Sequence, residues 1–208
     1  MMTLYTYPGT CGFASHAALE YAGADYETYI LDFTGGEATS DTYAKVNPKG
    51  RVPALVTDHG ILTETPAILA YIAQTYPDAG LAPADPFAYA RMQSFNSYLC
   101  STVHVAHAHK YRGYRWANEQ SSYDDMRAKV PETMSACFAM IEEHMLTMPW
   151  VLGDTFSTSD LYLLTISRWL ESDEVDVNRF PNVADHMART LALPAVERVV
   201  ATESRDRK

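Results

Sequence analysis

The chain has 208 residues, of which 47% are hydrophobic, and carries a formal net charge of −10 at pH 7. That length can bury a substantial core in one large domain or two small ones, and a net negative surface disfavours nucleic acid and anionic membranes as partners, leaving small molecules or proteins. Neither an apolar run of membrane-spanning length nor a signal-like leader stands in the sequence, so the expectation is a cytoplasmic protein that contacts no membrane. Cys11, Cys100 and Cys137 are odd in number and lack metal-ligand spacing, so neither a disulfide framework nor a metal site is expected.

Taken in order, the first 77 residues alternate short strand-like and helix-like pieces. Leu4 to Tyr7 reads as a strand, Gly12 to Tyr21 as a helix ending before Gly23, and Tyr26 to Leu31 as a second strand. A polar loop from Phe33 to Ser40 and a short helical piece near Thr42 to Val46 lead to the turn Asn47-Pro48-Lys49-Gly50. Strand-like Val52 to Val56 meets Ile61-Leu62 across the hairpin signal Asp58-His59-Gly60, and a helix from Glu64 to Tyr76 closes the set. The order β-α-β-α-β-β-α predicts a small α/β domain over residues 1–77. Residues 78–86 hold two prolines and a glycine, which suit neither helix nor central strand, and read as a linker. Over 87–208 the strand signals vanish. Helical patterns follow at Phe87 to His109, Ser122 to Thr147, Ser157 to Leu170, Pro181 to Leu191 and from Pro194 onward, which makes the second domain all-α. No internal repeat is present.

Cys11 falls where the first strand turns into a helix. Unpaired N–H groups and the positive end of the helix dipole favour an anion there and predict a thiol pKa below the free value of about 8.5. A small residue buried in a tight turn is the plain alternative. His104, His107 and His109 cluster with Lys110, Tyr111, Arg112, Tyr114 and Trp116. His104 and His107 are one helical turn apart, but His109 lies well round the helix and no cysteine or carboxylate completes a metal set. Phe156-Ser157-Thr158-Ser159-Asp160-Leu161 combines a Ser N-cap with an acidic residue three positions on, a capping box whose expected role is structural.

Four segments together resemble the cytosolic glutathione S-transferase family, and within it the bacterial beta class: Tyr5-x-Tyr-Pro-Gly-x-Cys11, Asn47 to Leu55, Thr63 to Leu69, and Gly153 to Asp160. The resemblance spans the whole chain. It implies a thioredoxin-like first domain that binds glutathione at its edge and a helical second domain that forms most of a pocket for a hydrophobic electrophile, in a homodimer. It further implies a cis Val52-Pro53 step whose backbone pairs with the glutathione cysteinyl unit, with Glu64 and Thr65 taking the γ-glutamyl end. His104 matches the family histidine that approaches the active thiol. The lysine that beta-class relatives usually carry after Asp32 is missing, and Val105 stands where another lysine is common. The glycine carboxylate of glutathione is therefore assigned to Lys49, Arg51 or a partner subunit.

Two activities follow from these assignments. If Cys11, Thr10, Tyr5 or another hydroxyl donates to the glutathione sulfur, the protein stabilises a thiolate and conjugates it to an electrophile held among Tyr7, His107, Tyr111, Tyr114, Trp116 and Trp169. If Cys11 is itself a nucleophile, it forms a mixed disulfide with glutathione and supports disulfide or peroxide reduction. Ala14 excludes a Cys-x-x-Cys pair. A noncatalytic ligand carrier or interaction module is the third reading. Glutathione is the only small co-substrate expected, and no metal.

Overall fold

The computed structural model describes residues 1–206. Strand β1 (Met2–Thr6) lies inside a four-stranded sheet of order β2-β1-β3-β4. It runs parallel to β2 (Tyr26–Ile30) and antiparallel to β3 (Ala54–Thr57), and β3 forms a hairpin with β4 (Gly60–Thr63). Met2, Leu4 and Thr6 point to the buried face, and Thr3, Tyr5 and Tyr7 are half-buried on the other side, the period-two pattern of a strand packed on one face. β3 begins at Ala54 rather than Val52, because Pro53 has no N–H to give the ladder. Helices α1 (Gly12–Tyr21), α2 (Asp41–Ala44) and α3 (Thr65–Thr75) complete a thioredoxin-like unit.

The rest of the chain is helical: α4 (Pro86–Tyr98), α5 (His104–Arg112), α6 (Gln120–Met140), α7 (Thr158–Ser167), α8 (Pro181–Leu191) and α9 (Pro194–Asp206). The single helix expected from Phe87 to His109 is broken in hydrogen-bond pattern. Leu99–Val103 forms a π turn between α4 and α5, and the helix then continues to Arg112. The helix expected to reach Leu170 stops at Ser167.

Helix α7 is buried along its whole length, and α1 packs against α3, α7 and α9. One hydrophobic cluster therefore runs from Leu4, Phe13 and Leu19 through Ile68 and Ile72 to Leu161, Leu164 and Val196. The β1–α1 turn is brought against the turn after α7 by this shared core. Among the described residues no helix is long and apolar enough to cross a membrane.

Candidate functional site

Cys11 is the residue before α1 and is 9% exposed. Its Sγ lies 3.4 Å from the Val52 carbonyl, to which the thiol donates. Burial raises the Cys11 pKa, and the Thr65 hydroxyl and the Arg112 guanidinium only partly offset it. Burial thus works against the lowered pKa expected from the helix terminus: the backbone of Cys11 is itself helical and its sulfur faces protein rather than water.

The loop that meets Cys11 is fixed from below. Gly50 has φ +61°, and the Arg51 carbonyl accepts from the Tyr43 hydroxyl at 2.7 Å and from Asn47 Nδ2 at 2.6 Å. The Val52-Pro53 peptide that follows is cis. Glu64 takes φ +74°, uncommon for a residue with a Cβ, immediately before α3. Its carboxylate lies 2.6 Å from Lys49 Nζ, which also donates to Thr63 Oγ1 at 2.6 Å. Thr65 is buried at the first turn of α3. Val52 and Thr65 thus stand beside Cys11 on the sheet side, with Pro53 and the Lys49–Glu64 pair next along the chain and the Arg51 side chain exposed.

Of the other residues proposed beside Cys11, Thr10 has its hydroxyl engaged elsewhere, and Tyr5 and Tyr7 pack their rings against other aromatics. Thr10 Oγ1 donates to the Tyr7 carbonyl at 2.7 Å and accepts from Gly12 N at 3.3 Å, so its one proton closes the turn. Tyr5 packs against the rings of Tyr29 and Tyr43 in a small separate cluster with Leu31 and Ala38. The Tyr7 ring meets Phe33 edge-on.

Across the site, α5 supplies the helical wall. His104 packs on Trp169, is mostly buried, and its pKa is lowered to about 4 by burial, with His107, Arg112, Arg51 and Arg115 adding repulsion. It is neutral at pH 7. His107 stacks on the same indole at 4.4 Å, and its Nδ1 lies 2.7 Å from Oδ2 of the buried Asp173. Trp169 Nε1 donates to the Gly9 carbonyl at 2.9 Å, and Gly9 N donates to Glu203 at 3.3 Å. The β1–α1 turn is therefore tied to the turn after α7 and to α9. Gly9, Thr10 and Trp169 share a cavity of about 340 Å³ with Thr165, Arg168, Glu171 and Ser172. Tyr111, Tyr114 and Trp116 are exposed at the end of α5, and Trp116 pairs with His109 at 4.3 Å.

Two residues missing from the sequence assignment stand out. Arg112, half-buried, lies two turns past His104 on the same helical stripe, a spacing visible in the sequence, and its charge is felt by both Cys11 and His104. Asp173 left no such signal, because it sits in a turn beyond the end of α7 and meets His107 only in the folded chain. Among the described residues no group of three or more His, Cys, Asp or Glu could hold a metal ion.

Residues 1–74 match the family model for the glutathione S-transferase N-terminal domain, and residues 99–194 match that for the C-terminal domain. A glutathione transferase homologue from Sulfitobacter, solved with bound glutathione, is 47% identical, covers 97% of this chain and 98% of its own, and superposes with a TM-score of 0.95. A beta-class glutathione S-transferase from Sphingomonas chungbukensis is 29% identical over 97% of this chain and 98% of its own, with a TM-score of 0.84. A curated relative from Pseudomonas aeruginosa, 28% identical with 93% of each chain covered, is named maleylacetoacetate isomerase. With both domain models matched in order around this site, the chain belongs to the glutathione S-transferase family.

Proposed function

We propose that the protein conjugates glutathione to electrophiles, with Cys11 as a neutral hydrogen-bond donor to the glutathione sulfur rather than as a redox nucleophile. The observation that carries this is the Cys11 thiol, desolvated and donating to the Val52 carbonyl. That carbonyl is the group on which the cysteinyl amide of glutathione pairs in the reading taken from the family. When the tripeptide takes it, the Cys11 proton is released to point at the arriving sulfur. A neutral donor stabilises the bound thiolate, whereas a nucleophile would need its own proton gone.

In this reading Glu64 and Thr65 hold the γ-glutamyl end, Val52-Pro53 the cysteinyl unit, and Lys49 and Arg51 the approach to the glycine carboxylate. The electrophile lies against Trp169, His104 and His107, with Tyr7, Tyr111, Tyr114 and Trp116 nearer the mouth. Neutral His104 positions ligand instead of carrying charge. A homodimer built through α3 and α4 and a cytoplasmic setting belong to the same proposal. A noncatalytic carrier is disfavoured by the backbone geometry retained at Glu64, since a positive φ on a glutamate persists where the surroundings impose it.

The test is alkylation of Cys11 against pH, followed by mass spectrometry, together with Cys11→Ala kinetics. The expected titration midpoint lies above the free-thiol value of about 8.5, no glutathione adduct forms, and Cys11→Ala lowers conjugation about tenfold to a hundredfold. A midpoint below neutrality with a stable Cys11–glutathione disulfide overturns this in favour of reduction. Absence of glutathione turnover with every electrophile and disulfide tried supports the carrier.

A further inference from the structure

The Asp173 side chain is 0% exposed, and its one hydrogen-bond partner among the described residues is His107 Nδ1, 2.7 Å from Oδ2. Its other oxygen, Oδ1, is buried without a partner. Burying a carboxylate with an oxygen left over is costly, yet this one accepts from no backbone N–H among the described residues and caps no helix. What it holds is a single imidazole.

An ionised carboxylate only accepts, so Nδ1 of His107 carries the hydrogen and, in the neutral ring, Nε2 presents a lone pair. Nε2 has no hydrogen bond among the described residues. It is not sealed in: the ring nitrogens that are both buried and unpartnered there are Nδ1 of His16 and Nδ1 of His186, and the His107 side chain is 18% exposed. Lys110 is held by Glu174 at 3.8 Å, and the His104 ring stands 6.5 Å away between centroids, so neither takes Nε2. The His107 ring stacks on Trp169 at 4.4 Å with 22° between the planes, and that indole donates to the Gly9 carbonyl in the turn leading to Cys11. An acceptor of fixed direction therefore stands on the aromatic wall of the candidate site.

We propose that Nε2 of His107, its tautomer set by Asp173, accepts a hydrogen bond from a hydroxyl on the second substrate, so that the site selects electrophiles carrying such a donor on a flat apolar body. This rests on the conjugation reading above and names the substrate class for it. Asp173 is a positioning residue that acts through His107. A substrate lacking the hydroxyl displaces water from Nε2 and leaves it unpaired, and the discrimination comes from that loss. Bond making is separate: the glutathione thiolate attacks carbon, the leaving group departs with its bonding pair, and the hydroxyl keeps its proton.

The probes are 3-hydroxyphenacyl bromide and 4-(hydroxymethyl)phenacyl bromide, each compared with the compound bearing methyl in place of the hydroxyl. Sulfur displaces bromide at the same carbon in all four. At about pH 7.5, above the ordinary histidine range, kcat/KM divided by the uncatalysed rate should favour the hydroxyl by about tenfold in at least one pair. His107→Phe keeps a flat ring against Trp169 and should bring that ratio to about one. Asp173→Asn frees both tautomers and should bring it to about threefold, and in both variants the KM for glutathione should move less than the ratio. Nitrogen NMR of isotope-labelled histidine reads the tautomer without turnover: a hydrogen on Nδ1 and none on Nε2 in the wild-type protein, a mixture in Asp173→Asn. Where His107→Phe does not fold because it strands a buried carboxylate, Asp173→Asn decides alone. Titration of the matching glutathione conjugates measures the same preference in a protein that turns over none of the bromides, which separates failure of this proposal from failure of the conjugation reading. A hydrogen on Nε2 of the wild-type ring overturns the proposal. So does the absence of any hydroxyl preference in rates and titrations, or a preference that both variants leave unchanged.

Discussion

Two histidine–carboxylate pairs in the helical region have nearly the same geometry and opposite surroundings. His107 Nδ1 lies 2.7 Å from Asp173, and His186 Nε2 lies 2.9 Å from Asp160. Asp160 is fully engaged: it accepts from Val151 N and Ser157 N at 2.8 Å each, and from the Ser157 hydroxyl at 3.2 Å, besides facing His186. Both members are wholly buried. Asp173 is equally buried, yet its Oδ1 has no hydrogen-bond partner among the described residues, and His107 keeps part of its ring open beside Trp169. The Asp160 carboxylate is saturated although His186 Nδ1 has no partner among the described residues, whereas the Asp173 carboxylate is not. A saturated carboxylate specifies packing. The capping box expected to be structural holds the saturated carboxylate, and the more open pair lies beside Trp169 at the candidate site.

The sharpest way to break this contrast is Asp160→Ala, which strands two backbone N–H groups and a ring nitrogen in the core. We expect a loss of about 3–5 kcal/mol in urea unfolding, or no soluble protein. A loss below about 1 kcal/mol would remove the structural assignment.

Next in size is the behaviour of histidines that have no carboxylate bond. His16 and His104 are each held at about 4 by burial, against about 6.5 in the unfolded chain. The unfolded state binds more protons between those values, so stability falls as pH drops from about 6.5 toward 4, by about 2–3 kcal/mol for each histidine. Urea midpoints at pH 7, 5.5 and 4.5 measure this, and His104→Asn should flatten the slope. An unchanged slope would mean that His104 is solvated.

The smallest effect is expected at the open pair. Asp173→Asn should cost only about 1–2 kcal/mol, because one oxygen already lacks a partner. Its larger consequence should be kinetic, through a loosened His107 ring. Equal stability losses at Asp173 and Asp160 would erase the distinction.

Much of the fold was legible in local pattern. A short apolar run marked β1, the glycine turn at Asp58-His59-Gly60 marked the hairpin, and Ser157 with Asp160 marked the start of α7, because each signal depends on residues close in sequence. The π turn at Leu99–Val103 was not legible, since α and π hydrogen bonding share the same composition and periodicity over so few residues. For the candidate site, the family motifs pointed to Cys11, Val52-Pro53 and Glu64-Thr65, of which Val52 meets Cys11 in the fold. Arg112 was visible as a neighbour of the histidines, but that its charge is felt at Cys11 depends on the folded chain.

By itself the sequence determined the order of elements, the position of a thiol at a strand-to-helix turn, and the family. Only the tertiary structure decided how deeply that thiol is buried, because the helix dipole is local and readable while desolvation depends on what packs over the sulfur. The same division explains the rest of the site. Which carbonyl the Cys11 thiol meets and which histidine finds Asp173 are contacts between distant residues, and no spacing along the chain encodes them.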